Sequence, residues 1–579
     1  MPSVGVFYRM QHCLHLAAGI LTIGSLLLSG CASSKSTHAT KSKSGSSTIE
    51  QAAKSEPVFV SKPVDDKLVQ AHAHYAQGVM HDMAEDSEKA LEEYAKSAQL
   101  DPDNEQLILE LSRRYLQKKE PEKAADILVK ATASSGASGA IFAQLGWVYL
   151  RLGKDELAIE ASQTAIKLLP KSLAGYHNIF LIHLQKGRAP EALKVLNQAA
   201  KQEDVTAEYL IDLAELYSTL EKQAPTQKEF TKPGALAVLN RAAKLNPETP
   251  LVRMKLADGF NVFGDSANAV QIYLQLLNRY GDRLAVREDV RAKLADIYLR
   301  GKDPQKAMEQ LKAIVQDDPA NAQAYYYLGN LAIDQKKLPE AADFFRKTLL
   351  LSDDFEQVYY DLASVQMNLD QTKEALETLE KARKKFQGGF VLEFFTAMVY
   401  SHDKNYTNAI QHFTSAELIA RATEPKRLNQ LFYFQVGSTY EREGNLEQAE
   451  EYFNKCLQIS PNFPEALNYF GYMLADKGIK LEKAHELIEK AVKLEPKNAA
   501  YLDSLGWVLY KLNQPKEALE NIQKAIELSE EVDATLYDHL GDIYVALKLN
   551  DKAREAWSKS LKVEPNEQVR KKLDQIKGQ

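Results

Sequence analysis

Alanine recurs along this chain at a spacing of about 34 residues, at Ala90, Ala124, Ala158, Ala192, Ala235, Ala269, Ala307, Ala341, Ala375, Ala409, Ala449, Ala484, Ala518 and Ala553. About twelve residues before most of them stands a second small residue, as at Gly78, Gly146, Gly437, Gly471, Gly506 and Gly541, with Phe180 the exception. An aromatic ring often follows, as at Tyr115, Tyr149, Tyr440 and Tyr544, and proline closes many units, as at Pro102, Pro170, Pro319, Pro461 and Pro496. Between these marks lie two amphipathic segments joined by a short polar turn such as Gly444-Asn445. Paired helices bring their backbones close only where Gly, Ala or Ser occupies the crossing, and bulky rings then fill either side. Proline stops the second helix. A single pair leaves an apolar face uncovered, so each unit must stack on its neighbours. The pattern predicts an all-α solenoid of about fourteen helix-turn-helix units.

Composition narrows the class of work. With 45 % apolar and 26 % charged residues the chain has an ordinary globular balance. A formal charge of −7 argues against wrapping nucleic acid, whose phosphates would repel it. Cys13, Cys31 and Cys456 are too few for a disulfide framework or a cysteine-rich zinc site. Phosphate-cradling glycine loops, nucleophile elbows and zincin motifs are absent from the sequence. His72, His74 and His81 cluster at the start of the repeats and read as solvent-facing, while Cys456 beside Phe453 reads as a buried, inert thiol. No cofactor and no metal is expected.

The units resemble the tetratricopeptide repeat (TPR). Leu145-Gly146-x-x-Tyr149, Ala158, Ala165 and Pro170 fit its pattern, as do Phe470-Gly471, Ala484, Ala491 and Pro496 with one extra residue in the turn. The resemblance implies a right-handed superhelix, with repeats 1–10 over residues 67–423, repeats 11–14 over 424–565, and a polar capping helix or tail over 566–579. Extra residues fall at Glu221–Gly234, Gly281–Arg287 and Thr423–Asn429, and are expected to bulge from turns or to change the stacking angle. Segments such as Asn468-Tyr469-Phe470-Gly471-Tyr472 and Asp538-His539-Leu540-Gly541-Asp542 resemble the last third of bacterial envelope TPR lipoproteins.

The N-terminus reads as an address. Arg9 precedes an apolar stretch from Leu14 to Leu28, too short and too punctuated by Gly and Ser to span a bilayer well. Leu28-Ser29-Gly30-Cys31 resembles the bacterial lipobox, which implies a signal peptide over residues 1–30 and lipidation (diacylglyceryl and usually palmitate-type acyl chains) of Cys31. Ala32 is expected to send such a lipoprotein to the outer membrane, facing the periplasm. Residues 31–66 form the lipidated cysteine and a Ser/Thr/Lys-rich tether.

In TPR arrays the first helix of each unit lines a concave groove, and its fifth position points inward. From repeat 8 onward that position reads Tyr326, Tyr360, Phe394, Phe434, Asn468, Asp503 and Asp538. Trp507, Tyr510 and Asp542 join them as candidate groove residues, with Asn330, Ser364, Ser438 and Tyr472 nearby. Aromatic rings offer large contact area at low entropic cost, and amides and carboxylates bond a peptide backbone or basic side chains. The expected function is a non-catalytic, membrane-anchored scaffold of the bacterial envelope. Its partner would be a protein or peptide gripped in the groove during assembly of an envelope or secretion complex. The alternative is a glycan-binding protein of cell-wall or polysaccharide export that uses the rings as stacking platforms.

Overall fold

The computed structural model describes residues 66–134, 136–531 and 533–577. The expected signal peptide, the expected lipidation site Cys31 and the expected tether up to residue 65 lie outside the described residues. All regular structure described is helical: 29 α-helices and two short 3-10 turns, with no strand among the described residues. Fourteen antiparallel pairs follow one another, from Asp66–Met83 with Ser87–Leu100 to Ala534–Ala546 with Asn550–Val563, and then one more helix, Glu567–Lys577. The chain divides into two compact units, residues 66–331 and residues 332–577.

Each pair is held where the sequence marks it. All fourteen recurring alanines are fully buried, since each sits where the second helix crosses the first. The opposing small residue is equally constrained. A methyl group on Gly506 would lie 2.6 Å from Ile522 Cγ1 and 3.1 Å from the Ala518 carbonyl, and one on Gly541 would collide with the Trp557 ring. Every repeat except the fifth turns between its helices through a residue with positive φ, supplied by glycine at Gly153, Gly187, Gly264, Gly444 and Gly478, with Lys480 a second such residue in repeat 12. Elsewhere it is a side-chain-bearing residue, such as Lys119, Lys336, Lys404 or Asn513.

In the first unit, one apolar core joins Ala90 through Ala161, and a second joins Tyr176 through Ile297. In the second unit the main core runs from Tyr359 to Ala556, beside smaller clusters around Leu467 and Tyr501 and around Trp557 and Leu573. Its middle is aromatic: Phe390, Phe394, Phe413 and Phe432 pack ring against ring, followed by Phe434, Phe453, Tyr469 and Phe470.

The expected insertions do not bulge. In repeat 5 the extra residues lengthen both helices, to Ala207–Gln223 and Lys228–Lys244, around the 3-10 turn Pro225–Gln227. Most of Gly281–Arg287 joins Leu284–Arg300, whereas Thr423–Asn429 runs past the end of Tyr406–Thr423 into the 3-10 turn Pro425–Arg427 that leads to Gln430–Glu443. A helix already formed satisfies added backbone groups internally, whereas a loop would have to find them new partners.

Candidate binding face

The first helices of repeats 12, 13 and 14 (Pro464–Asp476, Ala499–Lys511 and Ala534–Ala546) pack in succession within the second unit. They carry the polar end of the expected stripe: Asn468, Asp503 and Asp538 at the fifth position, with Tyr472, Trp507, Tyr510 and Asp542 beside them. The terminal helix Glu567–Lys577 lies next in line and brings Lys572, one repeat spacing beyond Asp538.

These side chains form a connected group. Asp503 Oδ1 lies 2.9 Å from His539 Nδ1, and the His539 ring stacks on Trp507 with centroids 4.0 Å apart. Trp507 stacks in turn on Tyr510 at 5.1 Å, and Lys511 Nζ sits 4.6 Å above its centre. Lys572 Nζ donates to Asp538 Oδ1 at 2.9 Å and to Asp542 Oδ2 at 2.7 Å. Two atoms stand apart. Asn468 Oδ1 and Trp507 Nε1 are shielded from water and have no hydrogen-bond partner among the described residues.

Charge and burial act against each other here. Burial penalises a charged His539 ring, yet the Asp503 carboxylate, bonded to it, holds its pKa above the ordinary value. Burial pushes the Asp542 carboxyl up, and the Lys572 ammonium only partly offsets this. Burial likewise opposes the charge on Lys572, but its two carboxylate partners raise its pKa overall. The Tyr472 hydroxyl is pushed up by burial and then by the surrounding carboxylates Asp503, Asp476, Asp533 and Asp538.

The aromatic end of the stripe is corrected by the structure. Tyr360, Phe394 and Phe434 are 4 %, 8 % and 6 % exposed, and Trp507 and His539 of the polar end are 7 % and 4 % exposed, so all five rings are packed in the core, whereas Asn468, Tyr472, Asp503, Tyr510, Asp538 and Asp542 are half-buried and reach the surface. Tyr360 stacks on Phe395 at 5.5 Å and donates to Glu356 Oε1. Phe434 packs on Phe453, Phe463 and Tyr469. Tyr326 is half-buried against Tyr327, in the first unit. Sequence held the warning: in Phe394-Phe395 and Phe432-Tyr433-Phe434, neighbouring rings point to different sides of a helix, and only one side is open. Two participants were missed as site residues, His539 and Lys572. A step of 34 residues beyond Asp538 reaches the second, although the two preceding steps along this stripe are 35 residues each.

Other singled-out residues are structural. The Cys456 thiol is buried, with its pKa pushed up to about 12, and Sγ lies 3.2 Å from the Gln430 carbonyl. His74 Nδ1 lies 2.6 Å from Glu93 Oε2. Among the described residues no group of three His, Cys, Asp or Glu side chains is placed to hold a metal ion, and no helix is long and apolar enough to cross a membrane. Glu393, 7 % exposed, is bonded by Arg383 and by His412 Nδ1, the latter at 2.6 Å.

Family models described as tetratricopeptide repeat match residues 279–482, residues 498–532, and residues 140–172 together with 534–567. Human protein O-mannosyl-transferase TMTC3 is 23 % identical over 275 residues, 45 % of this chain and 29 % of that protein. A TPR repeat-containing protein of Methanocaldococcus jannaschii is 22 % identical over 347 residues, 59 % of this chain and 54 % of that protein. The chain thus spans about a third to a half of the length of these curated relatives. Among solved structures, the Cut9–Hcn1 hetero-tetramer of APC/C aligns over 88 % of this chain and 96 % of that one, at 16 % identity and a TM-score of 0.38. The matched segments fall in both units and make up just over half of the sequence. With helix pairs recurring at that spacing and a buried alanine at every crossing, the chain is a protein of tetratricopeptide repeats.

Proposed function

We propose that this chain is a non-catalytic scaffold, anchored through lipid on Cys31 to the bacterial cell envelope, that holds an extended segment of a partner protein along the first helices of repeats 12–14. Proteins built from these repeats generally mediate protein–protein interaction. One observation carries the location of the contact. Asn468 Oδ1 is a buried acceptor and Trp507 Nε1 a buried donor, and neither has a hydrogen-bond partner among the described residues. Such groups cost about 1–3 kcal/mol apiece when left unsatisfied. An extended peptide presents N–H and C=O groups in alternation, the complement of this pair. The glycan reading is weakened, because three of its four stacking platforms are buried in the core.

Two experiments test the proposal. A photo-crosslinking residue at Tyr510 should trap a discrete protein partner in intact cells, and one at the half-exposed second-helix position Leu494 should not; identical adducts from both would defeat the binding face. Separately, Cys31→Ser should release the protein from the membrane fraction. Retention of that variant would remove the lipid anchor.

A further inference from the structure

We propose that the helix Asp66–Met83 of repeat 1 carries a self-complementary apolar seam through which two copies of this chain pair, antiparallel, around a two-fold axis at Ala76.

Val69, Ala73, Ala76, Met80 and Met83 follow one another at steps of four, three, four and three residues, the spacing of a coiled-coil seam, and all five are exposed. Met80 and Met83 are 68 % and 82 % exposed. The buried residues of this helix, Ala71 and Gly78, lie on its opposite side, where Gly78 meets the Tyr94 ring.

In the repeats that follow, this side of the first helix is a stacking face. Steps of 34 residues carry Ala73 to Leu107, Ile141 and Gly175, and Met80 to Arg114, Val148 and Ile182. Five of these six are buried, Gly175 against Ile166 of repeat 3. The sixth, Arg114, reaches back to Asp82 and lies over the Tyr94 ring of repeat 1. In repeat 1 no described helix covers the corresponding positions, and their apolar side chains stay exposed.

The seam fits a second copy of itself. With Ala76 on the axis, Ala73 faces the partner's Met80, so that small meets large, and Val69 faces the partner's Met83. Ala76 on Ala76 lets the two backbones come close. Lys67 and Glu85 stand two residues outside the seam at its opposite ends, so an antiparallel pair sets each against its opposite charge. Asp66 then faces the partner's Asp86, whose charge Lys89 already answers. A parallel pair would instead set Met80 on Met80 and Lys67 on Lys67. The helix has 18 residues, about 27 Å of length. One such pair gives a small interface beside the roughly 1,200 Å² of stable complexes, so the dimer should be reversible and weak.

The test uses the full chain with Cys13→Ser and Cys31→Ser, which leaves only the buried Cys456. In sedimentation from about 1 to about 100 µM the chain should pass from monomer to dimer. Met80→Asp, at a side chain too exposed to matter for folding, should raise the midpoint at least about tenfold. Under mild oxidation Ala76→Cys should link to its own copy, as should a mixture of Ala73→Cys and Met80→Cys chains, while Ala73→Cys alone should not, because its copies lie too far apart for a disulfide. A chain that stays monomeric throughout overturns the proposal. If that monomer still protects Met80 and Met83 from peroxide, the cover is the chain's own Val58-Phe59-Val60 and not a second copy. A dimer indifferent to Met80→Asp overturns the seam, and efficient linkage of Ala73→Cys alone overturns the antiparallel arrangement.

Discussion

At the scale of single residues, two buried ion pairs make opposite predictions about pH. His539 keeps its proton in the fold beyond its ordinary value of 6.5, because Asp503 outweighs burial. A raised histidine pKa stabilises the fold fully below the unfolded value, and that contribution disappears as pH rises through the folded one. His539→Gln should therefore cost about 2–3 kcal/mol at pH 6, where an uncompensated Asp503 is left behind, and less in alkaline buffer. Urea titrations of both proteins across that range check the sign; a gap that widens with pH contradicts it. Glu393 runs the other way. Burial raises a carboxyl, but His412 and Arg383 bond this one and leave its pKa below the ordinary 4.5. Its contribution is present above that value and is lost as pH falls through the depressed one. Glu393→Gln should cost about 2 kcal/mol at neutral pH and almost nothing in strong acid, since a protonated glutamate and a glutamine then offer similar hydrogen bonds. Neither pair was legible beforehand. Asp503 and His539 stand 36 positions apart, on different helices, and only the stacking of repeats brings them together.

At the scale of the helix pair the sequence was most informative, because the features that decide a crossing are short-range and repeat. Fourteen small-residue crossings were visible as a spacing, and the fourteen alanines are indeed the fully buried positions. The turns were only half visible. Where the left-handed residue is glycine it announces itself; at Lys119, Lys336 and Lys404 nothing in the side chain does, since backbone continuity and not local preference imposes the conformation. That conflict predicts a gain. Lys404→Gly removes the clash of Cβ at φ +60° and should raise stability by about 0.5–1 kcal/mol after the extra chain entropy of glycine is deducted. The mirror case is Gly153→Ala. No atom lies within 4 Å of the added methyl, so φ +69° alone should account for a loss of about 1 kcal/mol. Matched thermal melts decide both, and a stabilised Gly153→Ala chain would show that the turn relaxes freely. The aromatic stripe was misread at this same scale. The fifth position of a first helix faces the open side in the polar repeats, but in repeats 9–11 the adjoining rings close over it and draw Tyr360, Phe394 and Phe434 into the core.

Across the whole molecule, stacking makes stability a sum of neighbour terms, so damage to one pair should stay near that pair. Gly541 offers a clean way to see it. Its missing Cβ leaves room for the Trp557 ring, which also packs on Val569 and Leu573 of the terminal helix. Gly541→Ala drives that ring off its site, and overpacking of this kind costs about 1–3 kcal/mol. The ring is rigid and wedged between repeat 14 and the terminal helix, so its displacement loosens both. Hydrogen exchange should therefore accelerate over Ala534–Lys577 and remain as in the wild type over residues 66–331, which form a separate compact unit. A uniform acceleration along the entire chain would mean that the repeats unfold as one cooperative body, and nearest-neighbour stacking would then be the wrong account of their stability.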